Sequence, residues 1–210
     1  MSDAAERFSK ARLEMLCDGI FTVAMTLLVL DLKPPDLPRH APPDEIWHAL
    51  REHGLSFVGF GLTFLLAGAT WIAHHRLFQH LRSANRALVL LTIPFLMFVT
   101  LLPFSTSMLT AFGPQNPVGL TFYLGNQFAL SALLAIQWLV ARQSGLLAGP
   151  DDNVEQRKVA RFVLVQPIAF LISLIVAFVS PRNAMLAAAL STGYSTASPD
   201  AWTRRGSPLL

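Results

Sequence analysis

The chain has 210 residues, of which 53% are hydrophobic and 14% are charged. A soluble globular domain carries about 25% charged residues, so this composition excludes an ordinary soluble domain and indicates a protein of the lipid bilayer. The pI of about 9.5 does not indicate a nucleic-acid partner, because the Lys and Arg residues lie between apolar segments rather than along one stripe. Cys17 is the only cysteine, so no disulfide forms within the chain.

Apolar segments of membrane-spanning length recur along the chain. A helix needs about 20 predominantly apolar residues to cross the hydrocarbon core. We therefore predict an all-α, polytopic membrane protein, a single transmembrane domain over residues 1–210 with about six helices. The predicted spans are residues 12–31, 54–74, 87–109, 118–141, 161–180 and a weak sixth span at 183–195.

Proline and charged residues mark interruptions between and within the spans. The stretch 33–53 is rich in both, which predicts an exposed loop with a short surface helix around residues 46–52. Pro94 and Pro103 lie inside the third span. Proline is tolerated in a membrane helix when neighbouring groups satisfy the freed carbonyls, and it usually kinks the helix.

The Lys and Arg residues are distributed unequally between the two sides of the predicted membrane. With six spans, 12 of the 16 lie on the side of the N-terminus and 4 lie on the other side. Cytoplasmic loops of membrane proteins carry the excess of Lys and Arg. We therefore predict a multi-pass protein of the cell's inner (plasma) membrane, with cytosolic N- and C-termini and the lipid bilayer as its surroundings.

One apolar stripe runs along the first span. Its members recur at alternating intervals of four and three residues: Leu16, Ile20, Val23, Leu27 and Leu30. This period of 3.5 residues is typical of helices that pack around a common axis. Thr22 and Thr26 share a neighbouring face. The pattern fits a narrow, poorly wetted pore lining as well as ordinary helix packing, and both interpretations stay open at this point.

Asp18 stands at the start of the same apolar run. A charge inside a bilayer costs at least a few kcal/mol unless it is paired or hydrated. Polar candidates on the same predicted side of the membrane are Arg12, His74, His75 and Asn85. The alternative is that Asp18 merely marks the boundary with water.

Three segments within residues 12–110 carry a pattern longer than any single motif. Arg12 is followed after three residues by Leu16-Cys17-Asp18, and the first apolar run ends in Thr-Leu-Leu-Val-Leu-Asp at residues 26–31. Residues 71–78, Trp-Ile-Ala-His-His-Arg-Leu-Phe, close the second span before Asn85, and Pro-Phe-Ser-Thr at 103–106 lies near the end of the third. These segments resemble the bacterial TMEM175-type potassium channels, whose first helix carries Arg, three residues and then Phe-Ser-Asp.

The resemblance implies a six-helix subunit that assembles as a homotetramer, with the first helix of each subunit lining the pore of a potassium-permeable cation channel. Its selectivity for potassium over sodium is expected to be modest, because the constriction consists of apolar side chains instead of a carbonyl filter. The chain contains no Thr-Val-Gly-Tyr-Gly segment. The constriction residues that the resemblance implies are Val23, Leu27 and Leu30, with the Thr26 hydroxyl beside them. The permeant ion is K⁺, and we expect no cofactor and no resident metal.

The resemblance also implies a structural polar network near the cytosolic mouth. Its members are expected to be Arg12, Asp18, Asn85 and a second-helix histidine, either His74 or His75.

The chain departs from the family pattern in two places. The motif's Phe-Ser is Leu16-Cys17 here, so a weakly bonding thiol replaces a hydroxyl in the expected network. Val23 stands where isoleucine or leucine is usual, and the smaller side chain predicts a wider opening and weaker selectivity.

The alternative function is a secondary transporter or a proton-conducting membrane protein. A transporter needs binding groups near the bilayer midplane, and Gln127, Gln137 and Gln166 are polar groups in or near spans. Interhelical hydrogen bonding also accounts for these side chains. We do not expect an enzyme or a metal site, since the adjacent His74 and His75 point about 100° apart on a helix.

Overall fold

The protein is described here by a computed structural model, which covers residues 10–148 and 154–180. The described chain is almost entirely helical, which confirms the predicted all-α class. Its elements in order are α1 (Lys10–Leu27) with a 3₁₀ continuation (Leu28–Asp31), α2 (Pro43–Glu52), α3 (Gly54–Gln79), α4 (Arg86–Thr100), α5 (Leu102–Phe112), α6 (Pro117–Gln143) and α7 (Val154–Val179). The weak span predicted at 183–195 lies outside the described residues.

Five helical segments of the described chain are long and apolar enough to cross a bilayer. Their mean hydropathy ranges from 1.4 to 2.4, and each overlaps one of the first five predicted spans. The segments are Lys10–Asp31, Gly54–Gln79, Arg86–Phe112, Pro117–Gln143 and Gln156–Phe178. The chain is therefore a multi-pass membrane protein.

The helix ends follow from local side-chain chemistry. The Asn85 side chain accepts a hydrogen bond from the Leu88 amide at 2.9 Å and so satisfies an orphan donor at the start of α4. Asn116 does the same for the Val118 amide at 2.9 Å, with Pro117 as the first residue of α6. Gly113 ends α5 with a φ of +77°, a conformation that glycine adopts without a steric penalty.

The third predicted span is divided at Leu101 into α4 and α5. Pro103 lacks an amide hydrogen, so the carbonyl four residues earlier loses its helical partner, and the helix restarts at Leu102 with the proline in its first turn. Pro94 lies inside α4 without ending it. The kink expected at Pro103 therefore takes the form of a short break within one membrane-crossing segment.

Helix α6 is the centre of the bundle. Of its most apolar window, 56% is buried within the protomer, against 22–33% for the other four spanning segments. A string of hydroxyl groups ties it to its neighbours: the Thr106 hydroxyl donates to Thr63 at 3.0 Å, and Thr63 donates to Tyr123 at 3.2 Å. Gln127 donates its amide to the same Tyr123 oxygen at 3.2 Å. These bonds join α3, α5 and α6 inside the apolar region.

Three connecting segments meet at one end of the bundle. Lys10 at the start of α1 donates to the Leu81 carbonyl at 3.0 Å. The backbone of the α3–α4 turn bonds to the segment after α6, with the Arg82 amide 2.8 Å from the Leu146 carbonyl. The N-terminal end of α1, the α3–α4 turn and the segment after α6 therefore share one side, the side on which the sequence concentrates its basic residues.

Candidate pore-lining helix and polar cluster

One face of α1 packs into its own protomer. Its buried residues, spaced by three or four, are Leu13, Cys17, Phe21, Ala24 and Leu28. Phe21 makes the central contact, with its ring centroid 5.9 Å from that of Phe95 on α4 and 6.4 Å from the His74 ring on α3. The rotation of α1 about its own axis is therefore fixed by aromatic packing.

The predicted apolar stripe turns away from this packed face. Leu16, Val23, Leu27 and Leu30 are 51%, 56%, 41% and 66% exposed in the protomer, and Ile20 is partly buried. The three predicted constriction residues are thus presented on the protomer surface and not in its core. Their role in a constriction stays a prediction, because the structure contains one protomer.

Around the axis of α1, two threonine hydroxyl groups lie between this stripe and the position of Asp18. The Thr22 hydroxyl donates to the Asp18 carbonyl and the Thr26 hydroxyl to the Val23 carbonyl, each at 2.8 Å. Both hydroxyl hydrogens are therefore used within the helix, and both threonines are exposed in the protomer. Each oxygen can accept a hydrogen bond from water or contact a cation without losing a helix bond.

Asp18 is bound by an indole rather than by a histidine or an arginine. The Trp71 Nε1–H donates to the Asp18 carboxylate at 2.8 Å. The Trp71 ring stacks on His75 with a centroid separation of 5.6 Å, and His75 Nε2 lies 2.9 Å from the Gln79 amide nitrogen. We call these four residues, Asp18, Trp71, His75 and Gln79, the inner polar cluster.

The other predicted network members lie elsewhere in the protomer. Arg12 is exposed, and in the described residues no ion pair joins it to Asp18. Asn85 caps α4 and its amide lies 3.4 Å from the Ser144 hydroxyl. A single protomer thus brings only Asp18 and His75 of the predicted set into one cluster, and a wider network in the assembled protein stays a prediction.

His74 is part of the core. It is 2% exposed and stacks between Phe78 and Phe95, with centroid separations of 4.4 and 5.0 Å. Its Nε2 is buried without a hydrogen-bond partner in the described part of the chain. The adjacent His75 stacks on Trp71 instead, because neighbouring side chains on a helix point about 100° apart. Within the described ranges, no three His, Cys, Asp or Glu side chains are grouped as metal ligands.

Trp71 and Gln79 are the functional candidates that the sequence interpretation missed. They lie four residues before and after His75, so one face of α3 was visible in the spacing. Two of the three glutamines that the transporter alternative named make packing bonds: Gln127 bonds Tyr123, and the Gln137 amide lies 3.5 Å from the Leu91 carbonyl. Within the described residues, the side-chain oxygens of Gln137 and Gln166 are buried without a hydrogen-bond partner.

Comparisons with known proteins agree with the pattern read from the first three spans. The family model of the endosomal/lysosomal potassium channel TMEM175 matches residues 12–103. A potassium channel of Streptomyces collinus is 29% identical over 153 residues, which are 71% of this chain and 73% of that protein. The human endosomal/lysosomal proton channel TMEM175 is 36% identical over 118 residues, which are 54% of this chain but 23% of the human protein.

The fold agrees over a longer part of the chain than the family model. The crystal structure of a lysosomal potassium-selective channel TMEM175 homologue from Chamaesiphon minutus matches with a TM-score of 0.76 at 25% identity, covering 90% of this chain and 98% of that chain. The matched family consists of ion channels, which confirms the prediction that the chain is not an enzyme. Sequence and fold together confirm the predicted resemblance: the chain is a multi-pass membrane protein that is similar to TMEM175-type channels.

Proposed function

We propose that four copies of this chain form a potassium-permeable cation channel in which α1 of each subunit lines the pore. The observation that carries the proposal is the outward surface of α1. It combines an exposed apolar stripe with Gly19, Thr22 and Thr26, which are small or hydroxyl-bearing. Small residues let membrane helices approach closely, so this surface fits contact with further copies of α1 better than contact with lipid alone.

The expected constriction consists of apolar rings. Four copies each of Val23, Leu27 and Leu30 would narrow the pore at successive levels of α1, and an ion must lose part of its water to pass them. K⁺ holds its water less tightly than Na⁺ and so loses less free energy on partial dehydration. No carbonyl dipoles replace the lost water, so the preference for K⁺ is modest. The same rings provide a gate when water leaves the constriction.

Thr26 supplies the polar group nearest to these rings. Its hydroxyl hydrogen is held by the Val23 carbonyl at 2.8 Å, so the exposed oxygen is left as an acceptor. Such an oxygen partly replaces water around a cation at the level of Leu27. Asp18, the member of the inner polar cluster on α1, lies about two turns before Thr26. Its carboxylate is held near the proposed inner entrance, where a negative charge attracts cations.

We place the protein in the cytoplasmic membrane with the α3–α4 turn and the N-terminus in the cytosol. The basic residues of the sequence favour this orientation, with 12 of 16 on that side when six spans are counted. A sixth span places the C-terminus in the cytosol as well.

The decisive experiment records currents from purified protein in a planar bilayer under opposed potassium and sodium gradients. We expect unitary current steps and a reversal potential displaced modestly toward that of potassium. Leu27→Asn puts an amide into the constriction, lowers the dehydration penalty for both ions and moves the reversal potential toward zero. Leu171 on α7 is the matched control, because both leucines are 41% exposed in the protomer. Leu171→Asn leaves the reversal potential unchanged.

Three results contradict the proposal. Transport without current steps indicates a carrier, since carriers turn over too slowly to give them. A reversal potential that follows an imposed pH gradient indicates a proton pathway. An unchanged reversal potential in Leu27→Asn shows that this position does not face the ions.

A further inference from the structure

Helix α2 has no assigned role in the proposed pore. It is ten residues long and buries none of its side chains within the protomer. At 1.5 Å per residue it spans about 15 Å, half the thickness of the hydrocarbon core, so it cannot cross the membrane. It therefore lies at the membrane surface or beyond it.

The side chains of α2 are sorted into two edges. At about 100° per residue, the apolar ones fall on one edge, namely Pro43, Ile46, Trp47, Ala49 and Leu50. The polar ones fall on the other edge, namely Asp44, Glu45, His48, Arg51 and Glu52. Ile46 is 41% exposed and Trp47 is 63% exposed. In the described protomer these two large apolar side chains are thus left without cover.

The apolar edge of α2 is followed closely along the chain by exposed apolar residues of α3. A single residue, His53, separates α2 from α3, and backbone hydrogen bonds run through the junction: the His53 amide bonds the Ala49 carbonyl at 3.2 Å, and the Phe57 amide bonds the His53 carbonyl at 3.3 Å. Phe57 and Val58 at the start of the membrane-crossing α3 are 48% and 61% exposed. The junction therefore holds α2 close to the level at which α3 enters the bilayer.

We infer that α2 docks on the bilayer itself, with Ile46, Trp47 and Leu50 among the upper acyl chains and the charged edge in water. Amphipathic helices with sorted edges lie in this interfacial layer, and the indole of tryptophan favours the head-group level. The charged edge carries three carboxylates against one guanidinium, so attraction to anionic lipid does not hold the helix there. The partner is a neutral lipid surface, and apolar burial is the driving force.

The position of α2 is tested with two labels on opposite edges. The chain's only cysteine is replaced in the background variant Cys17→Ala. Ile46→Cys and His48→Cys are then labelled separately with an environment-sensitive fluorophore in phosphatidylcholine vesicles. We expect quenching of the first label by a lipid spin-labelled near the head group and protection from aqueous iodide. The second label shows the reverse pattern.

A second pair of variants tests the anchor. Trp47→Gln exposes the label at position 46 to iodide, whereas Arg51→Gln on the polar edge does not, and adding phosphatidylglycerol does not increase lipid quenching. Equal iodide quenching at positions 46 and 48 overturns the inference, because α2 then stands in water. Protection of position 46 from both quenchers also overturns it, because another copy of the chain then covers the edge. None of these measurements uses ion current, so their failure is distinguishable from failure of the proposed channel function.

Discussion

Helices α1 and α7 bury the same share of their most apolar window, 28%, yet their outward surfaces differ. The exposed residues of α7 between positions 165 and 178 are all large and apolar: Val165, Ile168, Leu171, Ile172, Ile175 and Phe178. The exposed residues of α1 between positions 16 and 27 include large apolar side chains too, together with Gly19, Thr22 and Thr26.

The difference separates two reasons for leaving apolar side chains uncovered in a membrane protomer. Lipid chains cover any apolar surface, so large apolar side chains are sufficient for contact with lipid. The outward surface of α7 between positions 165 and 178 has this composition. A surface that interleaves glycine and threonine with leucine and valine allows backbones to approach and offers oxygen atoms, which describes a helix that meets other copies of itself. Exposed fraction alone therefore does not distinguish a lipid-facing helix from an interface helix, whereas composition at equal exposure does.

Cysteine cross-linking gives the largest expected contrast between the two helices. In the Cys17→Ala background, Leu27→Cys places four thiols around the proposed constriction, and mild oxidation yields disulfide-linked dimers. Leu171→Cys on α7 is expected to yield no cross-linked product, because in the proposed assembly α7 faces lipid and its thiols stay apart. The measurement is a non-reducing gel of protein oxidised in the membrane.

One cross-linking result contradicts the roles proposed for the two helices. Cross-links at position 171 and none at position 27 mean that α7 is the interface helix and α1 faces lipid.

Loss of the Asp18 carboxylate is expected to have the next largest effect. Asp18→Ala leaves the Trp71 indole without its acceptor at the protomer surface beside α1. The donor is exposed in the single protomer, so the cost arises where the proposed assembly buries it: a buried donor without an acceptor costs about 1–3 kcal/mol, which lowers an association constant roughly 5- to 150-fold. Native mass spectrometry in detergent measures the tetrameric fraction.

Trp71→Phe sharpens the same experiment. It keeps the aromatic stack on His75 but removes the donor, and the partly exposed carboxylate regains water, so we expect a smaller loss than with Asp18→Ala. A fully tetrameric Asp18→Ala protein would show that the inner polar cluster is dispensable for assembly.

The outcome for α1 and for α3 shows what a single sequence can predict. The stripe on α1 has a clear period, and one rotation of the helix both buries Phe21 and presents Val23 and Leu27 outward. The spacing therefore identified the stripe as one face of α1, but it left open whether that face packs within the protomer or lines a pore. The membrane class and the first five spans were likewise evident in hydropathy, because apolar length is a local property of the chain.

The apolar residues of α3 have no periodic pattern, and the spacing of Trp71, His75 and Gln79 does not say which neighbouring helix their face meets. Without a periodic signal, His74 and His75 were equal candidates for the polar network. The structure buries His74 between two phenylalanines and turns His75 toward Trp71. Which residue meets Asp18 depends on how α3 and α1 pack, and a tertiary contact of that kind has no signature within either segment.

The smallest expected effect comes from adding one methylene to a valine of α1, with the same change at a valine of α7 as the control. Val23→Ile introduces the larger side chain that the family resemblance leads us to expect, narrows the proposed ring at position 23 and raises the barrier for ion passage. One methylene in an apolar site changes free energies by about 1 kcal/mol, which corresponds to a single-channel conductance roughly fivefold lower, with sharper potassium selectivity. Val165→Ile makes the identical change on α7, at a valine that is 43% exposed against 56% for Val23. Lipid adapts to the extra methylene, so conductance stays unchanged there, and equal conductance in both variants would remove Val23 from the ion path.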